Sequence, residues 1–503
     1  MTVPARSGLG QNMIGRGTGL ERTWFSSLYE CLMRHPIWSL AVLLFAIWLP
    51  SLFGGFLHDD YEVIAKWQNA SLYFGRFGHV GLLQLTGHLP FLYRLVMVII
   101  HIANSLLVYG IVRELRPAQV AFVAALIFGT SYLAAEAVFY GPHLEAAFTI
   151  LASILLLLRL RRQVPPRLHW FALVGACATL GTFFSEEAIA IPVMVGLYGL
   201  LGKPRRYWLV SFAAVLLCLD LSSFAGQMAI RSHAGGIPPP SHLLSSTVTW
   251  LVAPVKIGTA VAFFAIAPWY QTMRWAGLMT IPALALSALL VGIGAWSTPI
   301  WKRRADVEWR TVVWLALCAL ACLAPVSFPG TTEDIPTMAG RYLYPAWGIA
   351  VVMLVLVIRL GCGSVGWAVA LRTRLWLAAY LVCSLLLVGA AQSRFLQRCH
   401  LDRDVVRIAN EALAAGTAHD IVLVGDFPLE PAALPSPTPG PLAVSGYKPR
   451  FYHDMLLLRG WQVNVTASPV VPPARPGQLV IDLNQLTTDG TSALKPSGGA
   501  GRR

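Results

Sequence analysis

The side chains with most chemistry to offer are carboxylates that gather beside apolar sequence. His58, Asp59, Asp60 and Glu62 follow directly on an apolar run from Ile37 to Phe56, in FLHDDYEVI. Glu136, His143 and Glu145 flank a Gly141-Pro142 turn, and Glu186 and Glu187 lie in FFSEEAIAIP. Asp220 stands inside a later apolar run, and Glu333, Asp334, Arg341 and Tyr342 precede another. Adjacent, partly desolvated carboxylates repel each other, which separates their proton affinities and equips one as general base and the other as electrostatic partner. Arginines at the same level, here Arg76, Arg94 and Arg341, can grip a lipid phosphate through two parallel hydrogen bonds. Each group also has a plainer use. Two aspartates can end a helix in water, Glu186 and Glu187 suit a helix N-terminus, where the macrodipole favours acids, and a turn backbone can satisfy His143.

The elements that must position these groups are membrane helices. A span needs about 20 mostly apolar residues, and eleven runs approach that: 37–56, 91–112, 118–138, 142–159, 168–185, 188–201, 207–227, 275–296, 311–328, 345–360 and 375–391. The stretch 249–270 is also apolar, but Pro254 and Pro268 interrupt it. Lys and Arg decide its place, because they collect in cytoplasmic loops. With Arg6, Arg16, Arg22 and Arg34 inside, Arg113, Arg116, Arg159, Lys203, Arg205 and Arg206 also fall inside. If 228–274 is an outer re-entrant or surface segment, Lys302, Arg303, Arg304, Arg359, Arg372 and Arg374 join them. The carboxylates then share the opposite face.

Composition agrees. Of the 503 residues 56% are hydrophobic and 12% charged, against about 25% charged in a soluble domain. Mean hydropathy is +0.62. A soluble enzyme, a disordered chain and a solvated coiled coil are excluded. The net charge of +14 records the cytoplasmic loops; no basic cluster is interleaved with aromatics outside them, so nucleic acid is not a partner. The first apolar run has basic residues before it but shows no small-x-small cleavage site, and reads as a retained helix. Cys318 and Cys322 share a helix face without His or acidic neighbours in sequence, so no metal site is indicated; a divalent metal stays possible and no cofactor is required.

Beyond the last run, Arg394 to Ala415 reads as a short charged helix, Asp420–Phe427 as a strand, Tyr452–Trp461 as a helix, and QVNVTA and QLVIDL as strands. The expected organisation is a basic cytoplasmic N-terminus (1–36), a transmembrane domain (37–391) with an outer loop at 57–90, a small extracytoplasmic α/β domain (392–486) and a disordered tail (487–503).

Several of these stretches, in order, resemble one family. FLHDDYEVI is similar to the acidic first-loop motif of the GT-C superfamily of polyprenyl-phosphate-sugar-dependent glycosyltransferases, in particular the TMTC-type O-mannosyltransferases. His88–Leu115 resembles the family's second span, with His101 at its histidine, and Ala121–Gly141 the third, with Glu136 at its acidic position. LGTFFSEEAIAIPVMVGLYGL resembles the Ser-Lys-Glu turn and following helix, and GRYLYPAWGIAVV the Arg-Tyr-Leu-Tyr start of a late span. Two departures stand out. Ser131-Tyr132 replaces His-Pro, and Ser185-Glu186-Glu187 puts an anion where the family has lysine.

The resemblance implies an all-α polytopic, GT-C-like membrane protein of about eleven helices. It implies inverting transfer from a polyprenyl-phosphate sugar donor to an acceptor hydroxyl of a protein, glycan or lipid. Asp59 would be the base and Asp60 its neighbour; Arg76, Arg341, Tyr342 and His143 would face the phosphate; Glu136 and Glu187 would position base or sugar; and Glu145 and Glu186 would join them as substrate-binding residues. Topology places the reaction on the extracytoplasmic face, and the Ala/Arg/Pro-rich composition points to a bacterial inner membrane with the C-terminal domain in the periplasm. A transporter or flippase of a lipid-linked anion, and a non-catalytic GT-C relative, are the alternatives.

Overall fold

In a computed structural model, the described residues are 30–56, 64, 77–86, 89–160, 168–201, 206–233, 269–270, 272–273, 278–297, 309–327, 340–357, 367–424, 449–468, 471–473 and 475–483. Helix α1 (Pro36–Trp48) begins on a proline, whose missing N–H is an unpaired donor at a helix start anyway. Pro50 stops the α-helix, and the chain continues as a 3-10 turn, Leu49–Phe53. Next come α2 (Phe77–Leu85), α3 (Pro90–Leu115), α4 (Ala118–Gly129), α5 (Leu133–Tyr140) and α6 (Pro142–Leu160). Helix α7 (Leu168–Phe184) leads through a 3-10 turn, Glu186–Ile189, into α8 (Ala190–Leu201). The remaining apolar helices are α9 (Tyr207–His233), α10 (Thr280–Ser297), α11 (Trp309–Ser327), α12 (Gly340–Val357) and α13 (Trp367–Ala414).

Each of the eleven apolar runs meets a helix. By length and composition, however, four helical stretches among the described residues suffice to cross a membrane: Pro36–Phe53, Pro90–Leu115, His143–Leu160 and Leu375–Ala414. A fifth is the pair Ala118–Gly129 and Leu133–Phe139, taken as one span bent by 63°. The others, such as Glu187–Leu201 and Leu343–Leu356, are shorter. Three expectations change in detail. The run 118–138 is a broken helix, α4 plus α5. Helix α9 continues past residue 227 to His233. The charged segment after the last run is no separate helix: α13 is one element of 48 residues, about 72 Å at 1.5 Å per residue. Most of 228–274, and the whole of 487–503, lies outside the described residues.

A continuous core joins α1, α3–α8, α11, α12 and α13, with Trp48, Tyr93, Phe128, Trp314 and Tyr344 fully buried. The C-terminal end of α13 belongs to a second core. There Leu401, Val405 and Ile408 pack with β1 (Asp420–Val424), α14 (Pro449–Leu457), β2 (Asn464–Ser468) and β3 (Gln478–Asp482). The three strands form a parallel sheet in the order β2-β1-β3, with Ile421 opposite Val465 and Leu479.

A buried polar triad fastens α14 to α13. Arg398 Nε donates to Asp402 Oδ1 at 2.9 Å, Tyr452 O–H donates to the same oxygen at 2.7 Å, and Arg398 Nη2 donates to the tyrosine oxygen at 3.3 Å. Hydrogen bonds to a charged group contribute about 1.5–3 kcal/mol. Tyr452→Phe is therefore expected to destabilise this unit by that amount, read as faster hydrogen exchange in β1 with the spans unchanged. Exchange identical to wild type would show that the triad holds nothing.

Candidate active site

The break between α4 and α5 falls on Thr130-Ser131-Tyr132. Within a membrane a carbonyl freed by a helix end finds no water, so other groups must pair with it. The carbonyl of Gly129 accepts from Trp48 Nε1–H at 2.9 Å and from His101 Nε2–H at 2.9 Å. Because a carbonyl can only accept, the proton of His101 sits on Nε2 and its Nδ1 accepts from Tyr344 O–H at 2.8 Å. Asn104 Nδ2 donates both to the Tyr344 oxygen at 3.3 Å and to the Leu144 carbonyl at 2.9 Å. Ser131 Oγ accepts from the first amide of α5, Leu133, at 3.3 Å. Helices α1, α3, α6 and α12 thus converge on the break. Gly129 has no room for a side chain, since a Cβ there would lie 2.6 Å from Leu44 and 2.8 Å from Ser105 Oγ.

Past α5 the chain turns at Gly141, whose φ is +80°. Two residues on, His143 is buried at the start of α6, and its Nδ1–H donates to Glu187 Oε1 at 2.9 Å. Glu187 is 0% exposed and sits on the 3-10 turn between α7 and α8. Its second oxygen accepts from Ser185 Oγ–H at 3.3 Å. That turn packs against Gly181, where a Cβ would come within 2.6 Å of Ala188 and 2.7 Å of Thr149 Oγ1. A carboxylate on Nδ1 fixes the ring orientation and favours the imidazolium form. Gly141→Ala should cost about 1–3 kcal/mol, since only glycine adopts that conformation without strain. Thermal unfolding of the solubilised protein checks this; an unchanged transition would show that the turn tolerates a side chain.

Arg94 is fully buried. It donates from Nε and Nη2 to the Gly55 carbonyl at 3.0 and 2.7 Å, and from Nη1 to the Phe139 carbonyl. Its guanidinium carbon lies 5.0 Å from the ring centroid of Phe395 on α13. This gives the local reason for an arginine on the supposed outer face.

The structure brings His143 and Glu187 together. Glu145 is buried in the first turn of α6, a position the helix dipole favours for an acid. Asp220 is 2% exposed within α9, and its Oδ2 has no hydrogen-bond partner among the described residues. Glu136 lies on α5, Glu186 on the 3-10 turn, and Arg341 and Tyr342 on the first turn of α12; their side chains are outside the described part of the structure. Asp59, Asp60 and Arg76 lie outside the described residues altogether. Among the described residues no group of three or more His, Cys, Asp or Glu could hold a metal ion. Sequence reasoning passed over Trp48, Asn104 and Tyr344, and gave Ser185 no role of its own. The Arg-Tyr-Leu-Tyr stretch carried the signal for Tyr344, but drew attention to Arg341 and Tyr342.

Residues 79–225 match the family model described as dolichyl-phosphate-mannose-protein mannosyltransferase. The resemblance to GT-C glycosyltransferases is thereby borne out over the stretch that holds Arg94, His101, Glu136, His143 and Glu187. Among solved structures, the arabinofuranosyltransferase AftD from mycobacteria is similar at 13% identity and a TM-score of 0.44, over 83% of this chain and 31% of that one. A mutant form of AftD gives 14% and 0.46, over 83% and 33%. The Archaeoglobus fulgidus oligosaccharyltransferase, tethered to an acceptor peptide, gives 13% and 0.42, over 72% and 56%. The chain thus spans about a third of the length of AftD. No curated protein matches it in sequence.

Proposed function

We propose that the chain is an integral-membrane glycosyltransferase that moves a sugar from a polyprenyl-phosphate donor to an acceptor hydroxyl on the extracytoplasmic face. The observation that carries this reading is the match of residues 79–225 to a mannosyltransferase family named for a lipid-phosphate donor. The reaction is a single inverting displacement. Asp59 takes the acceptor proton, the acceptor oxygen bonds to the anomeric carbon, and the bond from that carbon to the phosphate oxygen breaks. Polyprenyl phosphate leaves with the bonding electrons. Arg76, Arg341, Tyr342 and His143 stabilise the charge on that phosphate, Asp60 acts on Asp59 electrostatically, and Glu136, Glu145 and Glu186 position base or sugar. The 2.9 Å bond to His143 supports a narrower role for Glu187, that of aiming the imidazole at the phosphate. No step needs a metal, because the leaving group is a monoester phosphate rather than a nucleoside diphosphate. The site would face the periplasm of a bacterial inner membrane, with the C-terminal α/β unit on the same side.

A second reading, a flippase for a lipid-linked anion, has one observation in its favour: α4 and α5 form a broken helix, a device transporters use at their binding sites. Incubating the detergent-solubilised protein with labelled polyprenyl-phosphate mannose, glucose and arabinose, each with a generic alcohol acceptor, tests the first. The expected result is release of lipid phosphate and a glycoside of inverted anomeric configuration by NMR. A product of retained configuration would reject the single displacement, and release from no donor would reject glycosyl transfer.

A further inference from the structure

A single guanidinium ties the chain beyond α1 to the C-terminal end of α5, just before the turn that leads to His143, and we propose that Arg94 is a positioning residue for transfer. This rests on the glycosyl-transfer reading. One side of the bridge is the Gly55 carbonyl, which takes two of the Arg94 donors at 3.0 and 2.7 Å. Asp59 follows Gly55 by four residues in the sequence. The other side is the Phe139 carbonyl at the C-terminal end of α5. His143 follows it by four residues and Glu136 precedes it by three.

The surroundings are shaped for this fork. Phe139 and Phe395 stack with centroids 4.2 Å apart and rings within 10° of parallel, and the guanidinium packs against Phe395. Gly54 makes room, because a Cβ there would lie 2.0 Å from Phe395 Cε1. Helix α3 carries the arginine, α13 the aromatic floor, and the bridged carbonyls belong to the chain beyond α1 and to α5. A fully buried arginine that spends three donors on two backbone carbonyls is fixing their separation. That separation sets where α5 ends, and with it the start of the turn that leads to the His143–Glu187 pair. Lysine keeps the charge but has no rigid fork, so one ammonium cannot reproduce both contacts in the same geometry.

Arg94→Lys in the full-length purified protein tests this by two independent readouts. The first is steady-state kinetics with dolichyl-phosphate mannose and the donors of the panel above. A misplacement of about 1 Å costs on the order of 10²-fold in turnover, so kcat per folded molecule should fall about 10- to 100-fold with the donor KM within about twofold. A structural role alone would lower the yield or the unfolding temperature and leave kcat per folded molecule intact, which would overturn the proposal. The second readout needs no activity: hydrogen exchange should quicken in peptides covering 52–60 and 136–144 and nowhere else in the membrane region. Unchanged exchange there would overturn the bridge. If the wild type consumes no donor at all, the glycosyl-transfer reading fails, and the exchange result still decides whether Arg94 joins the two segments. Arg94→Gln, which keeps donors without charge, should restore exchange protection more than Arg94→Ala if the hydrogen bonds are what matters. Equal exchange in those two variants would overturn the hydrogen-bonded bridge.

Discussion

Asp59→Asn is expected to lower turnover by about 10²–10⁴-fold, the contribution of a well-placed general base, while donor affinity stays within about twofold. Asparagine has the size of aspartate and keeps one acceptor oxygen, so the shape of the site survives. It cannot take the acceptor proton, which must then pass to water or to Asp60. The donor needs no proton transfer to bind, because its phosphate is held by cations and hydroxyls. Asp60→Asn should cost less, since it removes only a neighbouring charge. Donor turnover by single-turnover kinetics, with donor binding measured separately, checks both. Near-normal transfer by Asp59→Asn would remove Asp59 from the reaction, and equal losses in the two variants would show that the acids act as one unit.

Breaking the His143–Glu187 pair should have the second largest effect, and on two properties at once. Glu187 is 0% exposed and its partner 4%. Removing one member of a buried hydrogen-bonded pair takes a partner from the other and costs about 1–3 kcal/mol, more where the group is charged. Glu187→Ala should therefore lower the unfolding temperature and abolish most transfer. Stability alone does not prove function, and a double replacement separates them. Two apolar residues in place of a buried pair are often tolerated, so His143→Leu with Glu187→Leu should regain most of the lost stability and none of the transfer. Recovery of transfer in the double variant would make the pair a structural strut.

Much of this arrangement is legible in the sequence, and the reasons are specific. Apolar runs of span length announce helices because the bilayer allows little else, and all eleven meet one. Periodicity cannot show a break that side chains repair. The run 118–138 stays apolar through Ser131 and Tyr132, and the caps on Gly129 come from Trp48 and His101, 81 and 28 residues away. The same limit hides the pairing of His143 with Glu187, 44 residues apart, although each is conspicuous as an ionisable group beside a span. Arg94 shows what sequence can do: an arginine expected among the outer-face acids stands out, and it is fully buried on two backbone carbonyls. The join of the last span to the charged segment was hidden by the change in composition near Arg394, since an apolar-to-charged switch reads as a boundary even where the backbone continues as helix.

The most direct measurement of donor cleavage at one face uses sealed proteoliposomes. The protein is reconstituted with a polyprenyl-phosphate sugar carrying label in both sugar and phosphate, confined to one leaflet, with acceptor on the same side. The expected result is loss of sugar label to the acceptor and equal release of labelled polyprenyl phosphate. Reconstitution with Asp59→Asn should abolish both. Appearance of the intact, doubly labelled donor in the opposite leaflet, with no cleavage, would contradict glycosyl transfer and leave a flippase in its place.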